Sequence, residues 1–312
     1  MDAAATANTA IFSPDDEQDL LRSGLLTPPI EGLRKVHKRR LDRFSDKVNS
    51  HIPLTPVSVL SSAEETARFS TIPDSLISLA TLQYLGYDED TAKRIWQKWI
   101  NWSPGPVVRE IDDDLPGTMS ISFIDYAKGY VGGDTDTYDE EDQPWFECMT
   151  SWGILPSLQE EIMDPVFKDI RLSETCRFWV RDTMELRYQG LEEIQKASRE
   201  RAIEIQRASS RPGNPSQIVA GASQGAIGGI SQSRLRGLLD EDGNLSDITT
   251  LQSLTPADFL GQESGYYFTV EREVAVRYAS FAKRRDDNGS NVILFVVKLP
   301  NAATESLSEK QL

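Results

Sequence analysis

The groups able to do chemistry in this 312-residue chain are carboxylates, hydroxyls, arginines, lysines, tyrosines and two thiols. Histidine nearly drops out. His37 and His51 are the only two, and both fall in a polar N-terminal stretch expected to lack fixed structure. A Ser-His-Asp triad, a Cys-His pair or a histidine-ligated metal needs an imidazole in the folded part, so those classes are set aside. Cys148 and Cys176 are too few for a disulfide framework or a zinc site and suit a reducing compartment. The run from Asp240 to Asp247 has the acidity of a calcium loop without its spacing. An EF-hand loop puts glycine sixth and a bidentate glutamate twelfth, whereas counting from Asp240 the glycine is fourth and the twelfth residue is Leu251. It reads as a turn centred on Asp242-Gly243. The Gly/Ala/Ser run from Gly221 to Gly229 lacks the Lys-Ser/Thr pair of a phosphate-binding loop and reads as tightly turning backbone.

Charge narrows the partners. The net charge is −16, and eleven acids between positions 110 and 143 face Lys128 alone. Such a surface repels phosphates, so nucleic acid is not expected as a partner, while a protein partner is. The acids from Asp134 to Asp142 read as a solvated loop. With no secretory signal and no long apolar run, the chain is expected to be soluble, non-membrane and cytoplasmic. The cluster Arg34-Lys35-Val36-His37-Lys38-Arg39-Arg40 resembles a nuclear localisation signal, with a solvated helix face or a basic tail as the other readings.

Four segments are expected to position these groups: a disordered tail over 1–70, a tryptophan-rich helical domain over 72–209, a Pro/Gly-rich linker over 210–229 and a small domain over 230–312. In the second, Leu76, Leu79, Leu82 and Leu85 recur at helical spacing, Gly86 breaks the run, and Asp88 or Asp90 caps a helix carrying Ala92, Ile95, Trp96 and Trp99. All six tryptophans lie between 96 and 179 and mark one core. A long helix is expected over 174–209, with Gly190 as a place to bend and a half-exposed second half suited to dimerising or linking domains. In the last segment, Tyr266 to Thr269 is β-prone. Thr269 suits a helix N-cap, and Val274, Ala275, Tyr278, Phe281 and Ala282 form a helix face. Val292 to Leu299 reads as a central strand ended by Pro300.

Arg234-Leu235-Arg236-Gly237-Leu238-Leu239, Asp258-Phe259, Tyr266-Tyr267-Phe268-Thr269, the stretch from Val274-Ala275 to Tyr278-Ala279, and Leu299-Pro300-Asn301 together resemble the ADP-ribosyltransferase-like domains common in fungal intracellular proteins. The resemblance covers about residues 228–310. It implies a split β-sheet with an NAD-binding cleft, so the fold class expected is a mainly α N-terminal domain plus a small α+β domain with a partial ADP-ribosyltransferase-like sheet. It further implies that Tyr267 and Thr269 lie beside the nicotinamide ribose, with NAD as substrate and neither metal nor a catalytic histidine required.

The family's first strand carries an aromatic residue, a basic residue and glycine, where this chain has Ile227-Gly228-Gly229. Its glutamate strand follows the Leu-Pro-Asn strand, where this chain offers only Glu305 and Glu309 before Leu312. A degenerate, weakly active or inactive relative acting through protein interactions is therefore expected, with no catalytic residue assigned. An active NAD-consuming ADP-ribosyltransferase or NAD glycohydrolase, and a purely helical scaffold, stand as alternatives.

Overall fold

A computed structural model of the chain describes residues 9–41, 68–103, 105–112, 119–133, 135–210, 229–231, 249, 269, 271–286 and 292–294. The chain divides into two compact units. One is Met1–Gly213 with Arg284–Ser290, and the other is Asn214–Lys283 with Asn291–Leu312. Among the described residues the structure is mainly helical, with small sheets of two strands each. No helix among them is long and apolar enough to cross a membrane.

The first unit begins where the sequence suggests a disordered tail. Residues 9–41 instead hold α1 (Pro14–Arg22) and β1 (Leu33–His37), and Ile11, Phe12, Leu20, Leu25, Leu26 and Val36 are buried. Pro14 at the first helical position and Asp15, Asp16 and Glu17 in the first turn start α1 as its dipole favours. β1 pairs antiparallel with β2 (Phe69–Pro73), from Leu33 opposite Pro73 to His37 opposite Phe69. The basic cluster is thus partly built into a strand. Val36 and His37 are buried, and Arg34 is buried between the carboxylates of Glu17 and Asp74. Lys35 and Lys38 of the same cluster remain exposed. His37 also lies in the folded part. Its ring meets Phe69 edge-on at 5.1 Å, and its Nδ1 accepts the Arg39 N–H.

The helical hairpins follow their capping signals. Ser78 caps α2 (Leu79–Leu85) by accepting the Thr81 N–H, and Gly86 ends it in the left-handed region. Asp88 caps α3 (Glu89–Ile100) by accepting the Thr91 N–H at 2.7 Å. Ala92, Ile95 and Trp99, three and four apart, face the core. Fully burying Leu82, Leu85 and Ile95 contributes roughly 1.5–3 kcal/mol each.

Short parallel strands β3 (Val107–Arg109) and β4 (Met119–Ile121) lead to α4 (Phe123–Lys128). A second hairpin follows, α5 (Asp142–Ser151) and α6 (Pro156–Ile162). The two hairpin turns hold each other. Asp88 N–H donates to the Gly153 carbonyl and Leu155 N–H to the Gly86 carbonyl, both at 2.8 Å, with Tyr87 opposite Ile154. Neither glycine tolerates a side chain. A Cβ on Gly153 would lie 2.0 Å from Thr91 Oγ1, and one on Gly86 would lie 2.2 Å from Leu158 Cδ2.

After the short α7 (Lys168–Arg171), α8 runs unbroken through Gly190 from Cys176 to Ser210. At about 1.5 Å per residue it is some 50 Å long. Its second half is covered by the N-terminal segment of the same chain. Ser13 exchanges hydrogen bonds with Ser198, Gln195 donates to the Ala10 carbonyl, and Asp16 accepts from Ser198 and Arg201. Five of the six tryptophans fall in two clusters. Trp96, Trp99 and Trp102 pack with Phe123 and Tyr126, while Trp145 lies under Arg171, whose carbonyl accepts from Trp179. The loop before α5 is bound by its own acids. Asp136 pairs with Arg177 and Asp142 with Arg171, and the Asp139 carbonyl accepts the Trp145 indole.

In the second unit, β5 (Gly229–Ser231) pairs antiparallel with β6 (Val292–Leu294), Ile230 opposite Ile293. The continuation of the expected central strand, 295–299, lies outside the described residues. The helix α9 (Arg272–Arg285), of which Arg272–Lys283 belongs to this unit, forms as expected, with Ala275, Ala279 and Phe281 buried. Tyr278, placed by spacing on its inner face, is 41% exposed.

Candidate functional site

Of the two residues that the resemblance links to NAD, Thr269 is described and Tyr267 lies outside the described residues. Thr269 is half-buried, and its Oγ1 accepts the Glu271 N–H at 3.1 Å, two residues ahead of the first turn of α9. Its hydroxyl closes a local turn ahead of the helix, and because α9 begins at Arg272, with Ala275 N–H donating to the Glu271 carbonyl, Thr269 is not the N-cap that its sequence position suggests. Asp240–Asp247, Arg234, Arg236, Glu305 and Glu309 also lie outside the described residues.

The strongest electrostatic constellation lies in the first unit, on α8. Glu185, Tyr188, Gln189 and Glu192 follow one another at spacings of three, four and seven, which places them along one helix face. Lys128 at the end of α4 donates to Glu185 at 2.6 Å, and Gln189 donates to its other oxygen at 3.0 Å. Lys128 also pairs with Asp125 at 3.0 Å. Glu110, just after β3, accepts the Phe123 N–H at 2.7 Å and so caps the start of α4. The buried Tyr188 ring tilts against Phe123 at 6.4 Å between centroids. Three carboxylates thus gather around an aromatic pair, and Lys128 neutralises one of them.

This crowding moves the titrations. Loss of hydration, then repulsion from Glu185, Glu110 and Glu193, pushes Glu192 up to about 7. Glu192 is itself exposed, so water offsets part of the desolvation, and the neighbouring carboxylates fix the direction. Desolvation also raises Glu110 against the opposing hydrogen bond from Phe123. Burial pushes the Tyr188 hydroxyl up, keeping it neutral. For Lys128, burial acts downward, but the hydrogen bond and charge of Glu185 outweigh it and hold the ammonium charged. The chemical capacity of the group is therefore specific. Glu185 is paired with Lys128, while Glu192 takes up or releases a proton near neutrality.

The periodicity of Glu185, Tyr188 and Glu192 is readable in sequence. The arrival of Glu110 from 75 residues upstream is not. The two thiols are buried, and desolvation raises both, which makes them poor nucleophiles. Among the described residues, no group of three or more His, Cys, Asp or Glu side chains is arranged to hold a metal ion. No protein-family model matches the chain, and neither does any curated protein or solved structure.

Proposed function

We propose that the chain is a degenerate ADP-ribosyltransferase-like protein that acts through protein interactions of its helical unit, with little or no turnover of NAD. The observation that carries this reading is the Thr269 hydroxyl. A group expected beside the nicotinamide ribose instead accepts a backbone N–H just ahead of α9. The Ile227-Gly228-Gly229 stretch, which lacks the family's first-strand basic residue, supports it, because nothing there supplies the guanidinium or imidazole that would hold the ribose or diphosphate. The helical unit supplies what an interaction protein needs: a spine of some 50 Å, held at Gln195, Ser198 and Arg201 by polar contacts from the N-terminal segment.

The test is nicotinamide release from NAD by the purified full chain, beside Tyr267→Ala and Thr269→Ala. The expected result is release at the blank level for all three. Release by the wild type that is lost in Tyr267→Ala would overturn the degenerate reading in favour of an active NAD-consuming enzyme.

A further inference from the structure

A pair of adjacent arginines is held in the helical unit as a ligand is held in a receptor. Residues 284–290 belong to this unit, although the chain on either side of them, 214–283 and 291–312, belongs to the other. The Arg285 guanidinium lies over the Trp179 ring, 4.7 Å from its centre. Its Nη1 donates to Asp182 at 2.8 Å and to the Thr183 hydroxyl at 2.7 Å, and the side chain is only 3% exposed. The hydroxyl can accept because its own hydrogen is donated to the Trp179 carbonyl at 2.7 Å. Arg187 donates from Nε to the Arg285 main-chain carbonyl at 3.1 Å. Arg284 pairs with Asp164 at 3.1 Å and lies 3.8 Å from Glu161.

The receptor side is built independently of these two residues. Trp179, Asp182, Thr183 and Arg187 share one face of α8, at spacings of three, four and eight. Arg187 is fixed by Glu161 at 2.8 Å and by the Tyr84 carbonyl at 3.0 Å. A preorganised site of this kind needs little ordering when a ligand arrives. Its chemistry selects arginine over lysine, because a planar guanidinium can stack on indole while donating in its own plane, which an ammonium cannot.

We propose that Trp179, Asp182, Thr183, Arg187, Glu161 and Asp164 form a binding site for an Arg-Arg peptide segment, filled here by the chain's own Arg284-Arg285. The cis segment and an Arg-Arg segment of a protein partner then compete for one site, so the C-terminal segment acts as an intramolecular inhibitor of that partner. This rests on the interaction reading above for its use, yet its test does not depend on nicotinamide release, so the two can fail separately.

The probe is a fluorescein-labelled peptide of residues 279–290, titrated by anisotropy into full-length wild type and full-length Arg284→Ala/Arg285→Ala. The vacated variant is expected to bind at least roughly tenfold more tightly than wild type. Replacing both arginines of the peptide by alanine, or adding Asp182→Asn to the variant, is expected to abolish the difference. Where the double variant does not fold, Arg285→Lys replaces it with the same expectations. In the wild type, saturating peptide is expected to speed amide exchange over 284–286 by displacing the cis segment. Equal affinity for wild type and a folded variant, no binding by that variant, or unchanged exchange would each overturn the proposal.

Discussion

Replacing Asp16 tests whether the N-terminal segment is part of the helical unit or a tail. Asp16 is 1% exposed. Its Oδ2 accepts from Ser198 at 2.6 Å, and its two oxygens take Arg201 Nε and Nη2, each at 2.8 Å. Asp16→Ala removes all three bonds and leaves Arg201 facing a small void. Losing one partner of a buried ion pair costs about 3–5 kcal/mol. The Arg201 side chain keeps 17% of its surface in solvent and can turn outward, which places the expected cost near the lower end, about 3 kcal/mol. Asp16→Asn keeps the shape and one acceptor and should cost about half as much, in line with hydrogen bonds to charged groups. All six tryptophans lie in this unit, so urea unfolding followed by tryptophan fluorescence reads it directly. The expected outcome is a lowered midpoint with an unchanged slope, together with lost amide protection over residues 14–22. Asp16→Ala/Arg201→Ala should be less destabilised than the sum of the single variants. An Asp16→Ala midpoint within about 0.5 kcal/mol of wild type, with α1 protection already absent, would show that the segment is not docked and that the tail reading was right.

Gly153→Ala should destabilise the same unit by about 2–4 kcal/mol, since it adds a strained left-handed residue to an overpacked contact with Thr91. Thr91→Ala in that background should recover the packing share alone, read from the same urea curves. Glu192 gives a pH signature. Its carboxyl titrates higher in the folded chain than in the unfolded one, so the folded state binds more protons between the two values. Its favourable contribution is full below the unfolded carboxylate range and is lost as pH rises through about 7. Glu192→Gln should therefore stabilise the chain at pH 8 by about 1 kcal/mol after solvent screening, with little effect at pH 4.5. Equal gains at both pH values would refute the repulsion from Glu185 and Glu110.

What was legible in the sequence was local. Gly86 and Asp88 announce the first hairpin because capping is read within a few residues of the element that it serves. The long helix expected over 174–209 is found at Cys176–Ser210 for the same reason of sustained periodicity. The N-terminal elements escaped because their burial is paid for by distant residues. α1 is nine residues long and strongly acidic at its start, and its buried Asp16 is met by Ser198 and Arg201, over 180 positions away. β1 is hidden by its own charges, since Arg34-Lys35 and Lys38 read as a basic cluster until Glu17 and Asp74 are seen to neutralise Arg34. Tyr278 shows the opposite failure. An aromatic at helical spacing was assigned to the core, and it lies at the surface because a periodic pattern does not say how wide the buried stripe is.

The acid excess of the chain has a structural use that composition alone conceals. Arg34, Arg171, Arg187 and Arg285 are almost fully buried in the helical unit, and each is met by carboxylates: Glu17 and Asp74, Asp142, Glu161, and Asp182. A buried guanidinium without such partners would cost several kcal/mol, and arginine is the basic side chain that tolerates burial best, because its charge is delocalised and weakly hydrated. Two of the four also lie over indole rings, Arg171 over Trp145 and Arg285 over Trp179. Asp142, counted with the acidic run, is one of these partners, and Asp136 from the same run binds Arg177. Carboxylate pairing, joined by an indole face in two of the four cases, is therefore the unit's device for seating arginines. The unit uses that device three times on arginines of its own elements and once on Arg285, whose segment lies outside its main run of sequence. That fourth use makes an exchangeable Arg-Arg ligand the natural question to put to this protein.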